Sequence, residues 1–212
     1  MIITKLKAFD DIVRLIDADP VFIVGCSECA TVCHTGGEPE VLKMKQLLES
    51  KGMVVAGWRV LDPACNRLNS KRLLKQDSEV LSKTKTILVL ACGNGVQTVS
   101  GLFDELDVLP GTDTLFLGEI QHVNEFEQRC QMCGECLLDV FGGVCPVTRC
   151  PKSMLNGPCG GVIDGKCEVN PSMECVWMVS IRLLKHKNRG NSIGVIQPAK
   201  DWSKGLEMKR CV

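Results

Sequence analysis

RCQMCGECLLDVFGGVCPVTRCPKSMLNGPCGGVIDGKCEVNPSMECVW, Arg129 to Trp177, packs eight cysteines into one stretch: Cys130, Cys133, Cys136, Cys145, Cys150, Cys159, Cys167 and Cys175. Glycine, proline and short polar runs fill the gaps between them, with few large apolar side chains. Ordering a backbone costs roughly 1–2 kcal/mol per residue, and a segment so poor in hydrocarbon cannot offset that by burial alone. Disulfides, zinc or iron–sulfur clusters are the forces left to fold it.

The rest of the chain narrows that choice. At 212 residues it suits one ordinary domain and a smaller one. Twenty-five basic and twenty-five acidic residues cancel, so no electrostatic footprint for nucleic acid is present. Lys5, Lys7, Asp10, Asp11, Arg14, Asp17 and Asp19 interrupt the first 25 residues, which therefore do not read as a signal peptide. No apolar run reaches the length of about 18 residues needed to span a membrane. These features predict a cytoplasmic protein with no membrane and no nucleic-acid partner. In a reducing compartment fourteen cysteines point to metal or redox chemistry before disulfides.

Outward from the cysteine segment, the N-terminal half reads as alternating helices and strands. Ile3 to Asp17 has helical apolar spacing. VFIVG (Val21 to Gly25) is a continuous apolar strand, as expected where both sheet faces are covered. CSECATVCHTGG follows as a loop, and EPEVLKMKQLLESKG as a helix with Pro39 in its first turn and Gly52 past its end. Met53 to Leu61 is the next strand, DPAC a loop, Ser70 to Lys83 a helix and Thr86 to Ala91 a third strand. Val96 to Leu106 is a third helix and DTLFLG (Asp113 to Gly118) a fourth strand. The pattern predicts an α/β domain with a parallel sheet over about residues 1–120. A cysteine-rich domain with a closing helix (Cys175 to Asn188) spans 121–188, and a basic tail 189–212. From Val176 onward eight basic residues face only Asp201 and Glu207. That surplus could dock an acidic partner, but a solvated tail is the simpler expectation.

In such a sheet Cys26, Cys65 and Cys92 each follow a strand. Carboxyl ends of parallel strands share one crevice, so these thiols converge without a local motif. Cys29 and Cys33 hang from the loop above, giving five thiols for four positions; the Cys26-x2-Cys29 spacing favours Cys29. A lone buried cysteine is often only a small apolar side chain, whereas three at strand ends with a loop pair predict a metal or cluster site. CGNGVQTV has glycines before a helix, but Thr98 stands where G-x-G-x-x-G needs its last glycine, and no P-loop lysine follows. The glycines more simply let backbone N–H groups approach cluster sulfurs.

In the second half, Cys130-x2-Cys133-x2-Cys136 matches the bacterial ferredoxin opening, and Cys145-Pro146 its ending. Eight residues separate Cys136 from Cys145 where the ferredoxin run has three, so Cys145 can pair with the first three or with Cys150, Cys159 or Cys167. Zinc takes four thiolates as readily. Two clusters, or one cluster and one zinc, satisfy the eight thiols. His34, His122 and His186 lack ligand spacing, and no catalytic constellation is present.

GCSECATVCHTGG, VLACGNGVQTV, TLFLGE, CPVTRCPKSMLNGPCGGVIDGKCEV and the final CVW resemble the small iron–sulfur subunit of acetogenic methylenetetrahydrofolate reductase. They are similar also to the cysteine-rich C-terminal domain of some methylenetetrahydrofolate reductases. The resemblance covers about Val21 to Lys187, and leaves Cys211 outside as an expected free thiol. It implies a flavodoxin- or Rossmann-like α/β domain followed by an irregular, ferredoxin-like cluster-binding domain. It further implies electron transfer through 4Fe–4S clusters to the flavin of a partner subunit that reduces methylene- to methyl-tetrahydrofolate, in the one-carbon metabolism of anaerobes. Ferredoxin or another redox subunit would be the donor. Two or three four-cysteine sites are implied, at least two holding 4Fe–4S clusters and a third a cluster or zinc. The family's motif cysteines match Cys26, Cys29, Cys33, Cys65 and Cys92 and all eight of the second half. A zinc-stapled module that anchors the flavin subunit is the competing reading, and a nucleotide-binding diaphorase a weaker one.

Overall fold

The computed structural model describes residues 1–18 and 20–205. The chain forms two compact units, Met1–Phe116 and Leu117–Val212.

In the first unit four parallel strands make the sheet, in the order β3 (Val55–Leu61), β2 (Val21–Cys26), β4 (Thr86–Val89), β5 (Asp107–Pro110). β2 is buried at every position because its alternate side chains feed two separate cores. Phe22 and Val24 pack with Ile87 and Val89 against α4 (Arg67–Lys75), α5 (Ser78–Leu81) and α6 (Gly93–Ser100), through Leu74, Leu81 and Val99. Val21 and Ile23 pack with Leu88 and Leu90 against α1 (Phe9–Leu15) and α3 (Glu38–Ser50), through Ile12, Val41, Met44 and Leu48. Helices on both faces explain the unbroken apolar run. The α/β class and the parallel sheet are as expected.

Several local readings need correction. The expected first helix begins instead as a strand, β1 (Ile2–Leu6), whose Ile3 and Thr4 are buried; helix starts only after Ala8. IITKL is rich in β-branched residues, and its short alternation resembles one turn of helix spacing. The loop after β2 contains a turn of helix, α2 (Cys29–Val32). The expected Ser70–Lys83 helix is two helices, broken where the Asp77 carboxylate turns to meet the Arg59 guanidinium on β3. The third helix starts earlier, at Gly93. The fourth parallel strand is DVLP, not DTLFLG, which belongs to the long β6 (Thr112–His122) of another sheet. β6 borders β1, and its later residues pair antiparallel with β7 (Glu125–Cys130).

After that hairpin the second unit has two α-helices, α7 (Pro146–Arg149) and α8 (Val176–His186), and two short 3-10 helices, Gly190–Gly194 and Trp202–Gly205, among the described residues. Its core is small. Phe141 and Trp177 meet edge to face at 5.2 Å, with Cys175 and Val176 beside them. Trp177 Nε1 donates to Met154 O at 3.1 Å, and Ser180 Oγ to Phe141 O at 2.8 Å. The expected solvated tail is also corrected, for its described part is tied back onto the unit at Gln197 and Lys200. Among the described residues no helix is long and apolar enough to cross a membrane.

Gly36 decides how closely the loop bearing Cys29 and Cys33 lies on the sheet. A Cβ there would stand 1.8 Å from the Leu90 carbonyl oxygen, while Gly36 O accepts the Cys26 N–H at 2.8 Å. Gly36→Ala is therefore expected to destabilise the protein by about 1–3 kcal/mol, as overpacking does. Urea unfolding measures this; an unchanged midpoint contradicts the close approach.

Candidate metal centres

Cys26 closes β2, Cys65 lies four residues past β3, and Cys92 caps the N-terminus of α6 after β4. The strand order reverses between β2 and β4, since the chain leaves β2 for β3 on one side and returns to β4 on the other. That switch point is where open α/β sheets bind ligands. The thiols there sense one another. Partial burial pushes the Cys65 thiol pKa up, and the neighbouring Cys92, Cys26 and Cys29 thiols push it further. Cys33, one helical turn beyond Cys29, is absent from that set; its thiol points to the Ile2 carbonyl at 3.8 Å. Cys29 Sγ accepts the Ile2 N–H at 3.4 Å, so one β1 residue engages both thiols of the turn.

The glycines after β4 have a hydrogen-bonding and a packing role of their own. Gly93 N–H is donated to Thr114 Oγ1 at 2.8 Å, and Gly95 lets α6 approach Ala64 and Ala91.

In the second unit four thiols line one cavity of about 20 Å³: Cys150, Cys159, Cys167 and Cys175. Cys175 is held by its N–H to Gly165 O at 2.8 Å, and Cys167 by its N–H to Met173 O at 3.0 Å. Cys159 Sγ donates to Glu168 Oε2 at 3.5 Å, and the Lys152 ammonium pairs with the same carboxylate. Lys152 first, then Cys159, holds the Glu168 carboxyl below the usual carboxylate range. Arg149, Lys152 and Glu168, none singled out from the sequence, also line this cavity. Only their places beside Cys150 and Cys167 could have flagged them.

Cys145 and Cys150 sit at opposite ends of α7, as its two caps. The four helical residues between them set the two caps about 7–8 Å apart along the axis. Cys145 does not line the four-thiol cavity; its sulfur accepts from Thr148 Oγ1 at 3.6 Å. Cys130, Cys133 and Cys136 lie on a turn with Met132 and Gly134 both at positive φ. This bends the backbone so that Met132 N–H reaches Cys130 Sγ at 3.2 Å. N–H groups aimed at sulfur stabilise a thiolate, the state a metal needs.

The thirteen described cysteines are all free thiols. Cys211 lies outside the described residues. Among the described residues, no three His, Cys, Asp or Glu side chains stand already closed into a metal-holding arrangement. As donor sets, groups of four cysteines suit zinc or iron–sulfur chemistry and not magnesium or calcium, and the Glu168 carboxylate beside Cys159 is already paired with Lys152. His34, His122 and His186 join none of these groups; His34 Nδ1 lies 3.9 Å from Glu40.

With chelator and reductant to keep the thiols free, Cys65 is expected to alkylate more slowly at pH 8 than an unstructured cysteine peptide, because its raised pKa leaves less thiolate. Cys92→Ala should speed it by removing a like-charged neighbour. Equal rates in all three would show that the thiols do not share a crevice.

Residues 109–203, a little under half the chain, match the family described as methylene-tetrahydrofolate reductase C terminal, and that stretch is related to it. No curated protein and no solved structure matches the chain.

Proposed function

We propose that this chain is a metal-thiolate electron carrier working with a methylenetetrahydrofolate reductase, in which Cys26, Cys29, Cys65 and Cys92 hold one 4Fe–4S cluster and Cys130, Cys133, Cys136 and Cys145 another. Such clusters, when bound, take up and release single electrons at potentials set by burial, charge and hydrogen bonds to sulfur. The protein's part is to hold the thiolates and place charge around them. The electrons would come from ferredoxin or another redox subunit and leave to the flavin of the reductase subunit.

One observation carries this reading above that of a structural staple. The first unit already has two apolar cores, one on each face of its sheet. Its four thiols nevertheless gather at the sheet's switch point, the place where such folds do chemistry. The family match of residues 109–203 supplies the link to methylenetetrahydrofolate.

The third group is of a different kind. Its four cysteines line one cavity together, with Lys152 and Glu168 beside them. It lies beside a core of only a few buried side chains. Zinc held by Cys150, Cys159, Cys167 and Cys175 would then supply folding energy. This part of the reading retains the staple, confined to one site.

Anaerobic reconstitution with iron and sulfide, followed by metal analysis and EPR of the reduced protein, tests the proposal. Iron is expected at about four per cluster, with Cys65→Ser losing one cluster but keeping its unfolding midpoint, and Cys159→Ser losing zinc and stability together. Zinc alone, with no iron above background, would sink the electron-carrier reading.

A further inference from the structure

The basic tail returns to the cysteine segment at two places. Gln197 N–H donates to Asn156 Oδ1 at 2.7 Å while Asn156 Nδ2 donates to Gln197 O at 2.9 Å, a reciprocal pair. Asn156 lies in the loop between Cys150 and Cys159. Three residues on, Lys200 Nζ donates to the Glu135 carbonyl at 2.7 Å and to its carboxylate at 3.2 Å. Glu135 lies between Cys133 and Cys136. The Lys200 side chain is only 5% exposed, and the Lys204 ammonium pairs with the other Glu135 oxygen.

The backbones touch as well. Gly134 has φ +77°, and a Cβ on it would fall 2.3 Å from the Lys204 carbonyl carbon; a Cβ on Gly205 would lie 3.2 Å from Met132 O. Cys133 Sγ donates at 3.4 Å to the same Glu135 carbonyl that Lys200 holds. When Cys133 gives up its proton to bind metal, that donor is lost and Lys200 keeps the carbonyl satisfied. A buried ammonium with three donors is costly unless paired. Its placement here needs a reason beyond solvation of a tail.

We propose that residues 195–205 are a clasp over the Cys130–Cys136 turn, with Lys200 as the positioning residue that fixes the turn and sets the charge felt by whatever the turn binds. The clasp rests on the cluster reading for its redox role and on geometry alone for its structural one. Taking up one electron makes a thiolate-held group more negative by one unit. Lys200 holds one positive charge against the turn, which favours the reduced form, so taking that charge away lowers the reduction potential. By joining Asn156 to Glu135, the clasp also ties the loops that bear the two cysteine groups of this unit.

The test uses the full chain after anaerobic reconstitution, comparing wild type with Lys200→Met, Lys200→Arg and Asn156→Ala. Hydrogen–deuterium exchange of the tail and a dithionite-mediated potentiometric titration of the iron EPR signal are the two readouts. In Lys200→Met, tail and turn amides are expected to exchange roughly tenfold faster or more, the effect of losing one charged hydrogen bond. Its potential should fall, whereas Lys200→Arg should retain the wild-type value. Asn156→Ala should loosen the tail with a smaller change in potential. Unchanged exchange in Lys200→Met overturns the clasp whatever the metal content. A loosened tail with an unmoved potential overturns the electrostatic role. A wild-type chain that takes up no iron overturns the cluster reading, and tail exchange still decides the clasp.

Discussion

Parallel strands in an open sheet all end on the same side, and everything the first unit offers chemically depends on that constraint. β2, β3 and β4 deliver Cys26, Cys65 and Cys92 to one edge without any of the three being close in sequence. The reversal of strand order between β2 and β4 leaves that edge open, since the following helices diverge to opposite faces. Gly36 then brings the α2 turn down against β4, which puts Cys29 within electrostatic reach of Cys65. The apolar cores on the two faces make the edge rigid, and rigid walls are what a site needs if its potential is to be fixed by structure.

The second unit solves a different problem. Its core is little more than Phe141, Trp177 and their neighbours, so ordering energy must come from elsewhere. Short hydrogen-bonded turns hold Cys167 and Cys175, the α7 helix spaces Cys145 from Cys150, and the tail ties Asn156 and Glu135 into place. Ion pairs such as Lys152 with Glu168 and Arg182 with Glu174 are at the surface and add little stability on their own. Their value lies in placing charge beside sulfur. On the proposed reading, folding of this unit and its metal binding would be one equilibrium.

Much of this was legible in the residues. VFIVG and TILV declare strands buried on two faces, and Cys26 and Cys92 follow them directly, so the site edge can be read before any coordinates. What escaped is explained by short-range ambiguity. IITKL satisfies a strand's alternation and a helix's spacing equally over five residues. DVLP is too short, and ends in proline, to be recognised as a strand without β4 beside it; its neighbour DTLFLG is the stronger pattern but pairs elsewhere. The break in the expected Ser70–Lys83 helix depends on Asp77 meeting Arg59, eighteen residues away. Lys200 looked like one more solvated lysine, because nothing local marks a side chain whose partner is sixty-five residues distant.

The central claim is the partition of twelve thiols into three sets, and anomalous diffraction from crystals of the metal-loaded chain tests it most directly. Data on either side of the iron and zinc edges would locate and identify each site. Iron is expected on Cys26, Cys29, Cys65 and Cys92 and on Cys130, Cys133, Cys136 and Cys145, with zinc on Cys150, Cys159, Cys167 and Cys175. A metal shared between Cys145 and the Cys150 set, or a switch-point site closed by Cys33 in place of Cys29, would contradict the account.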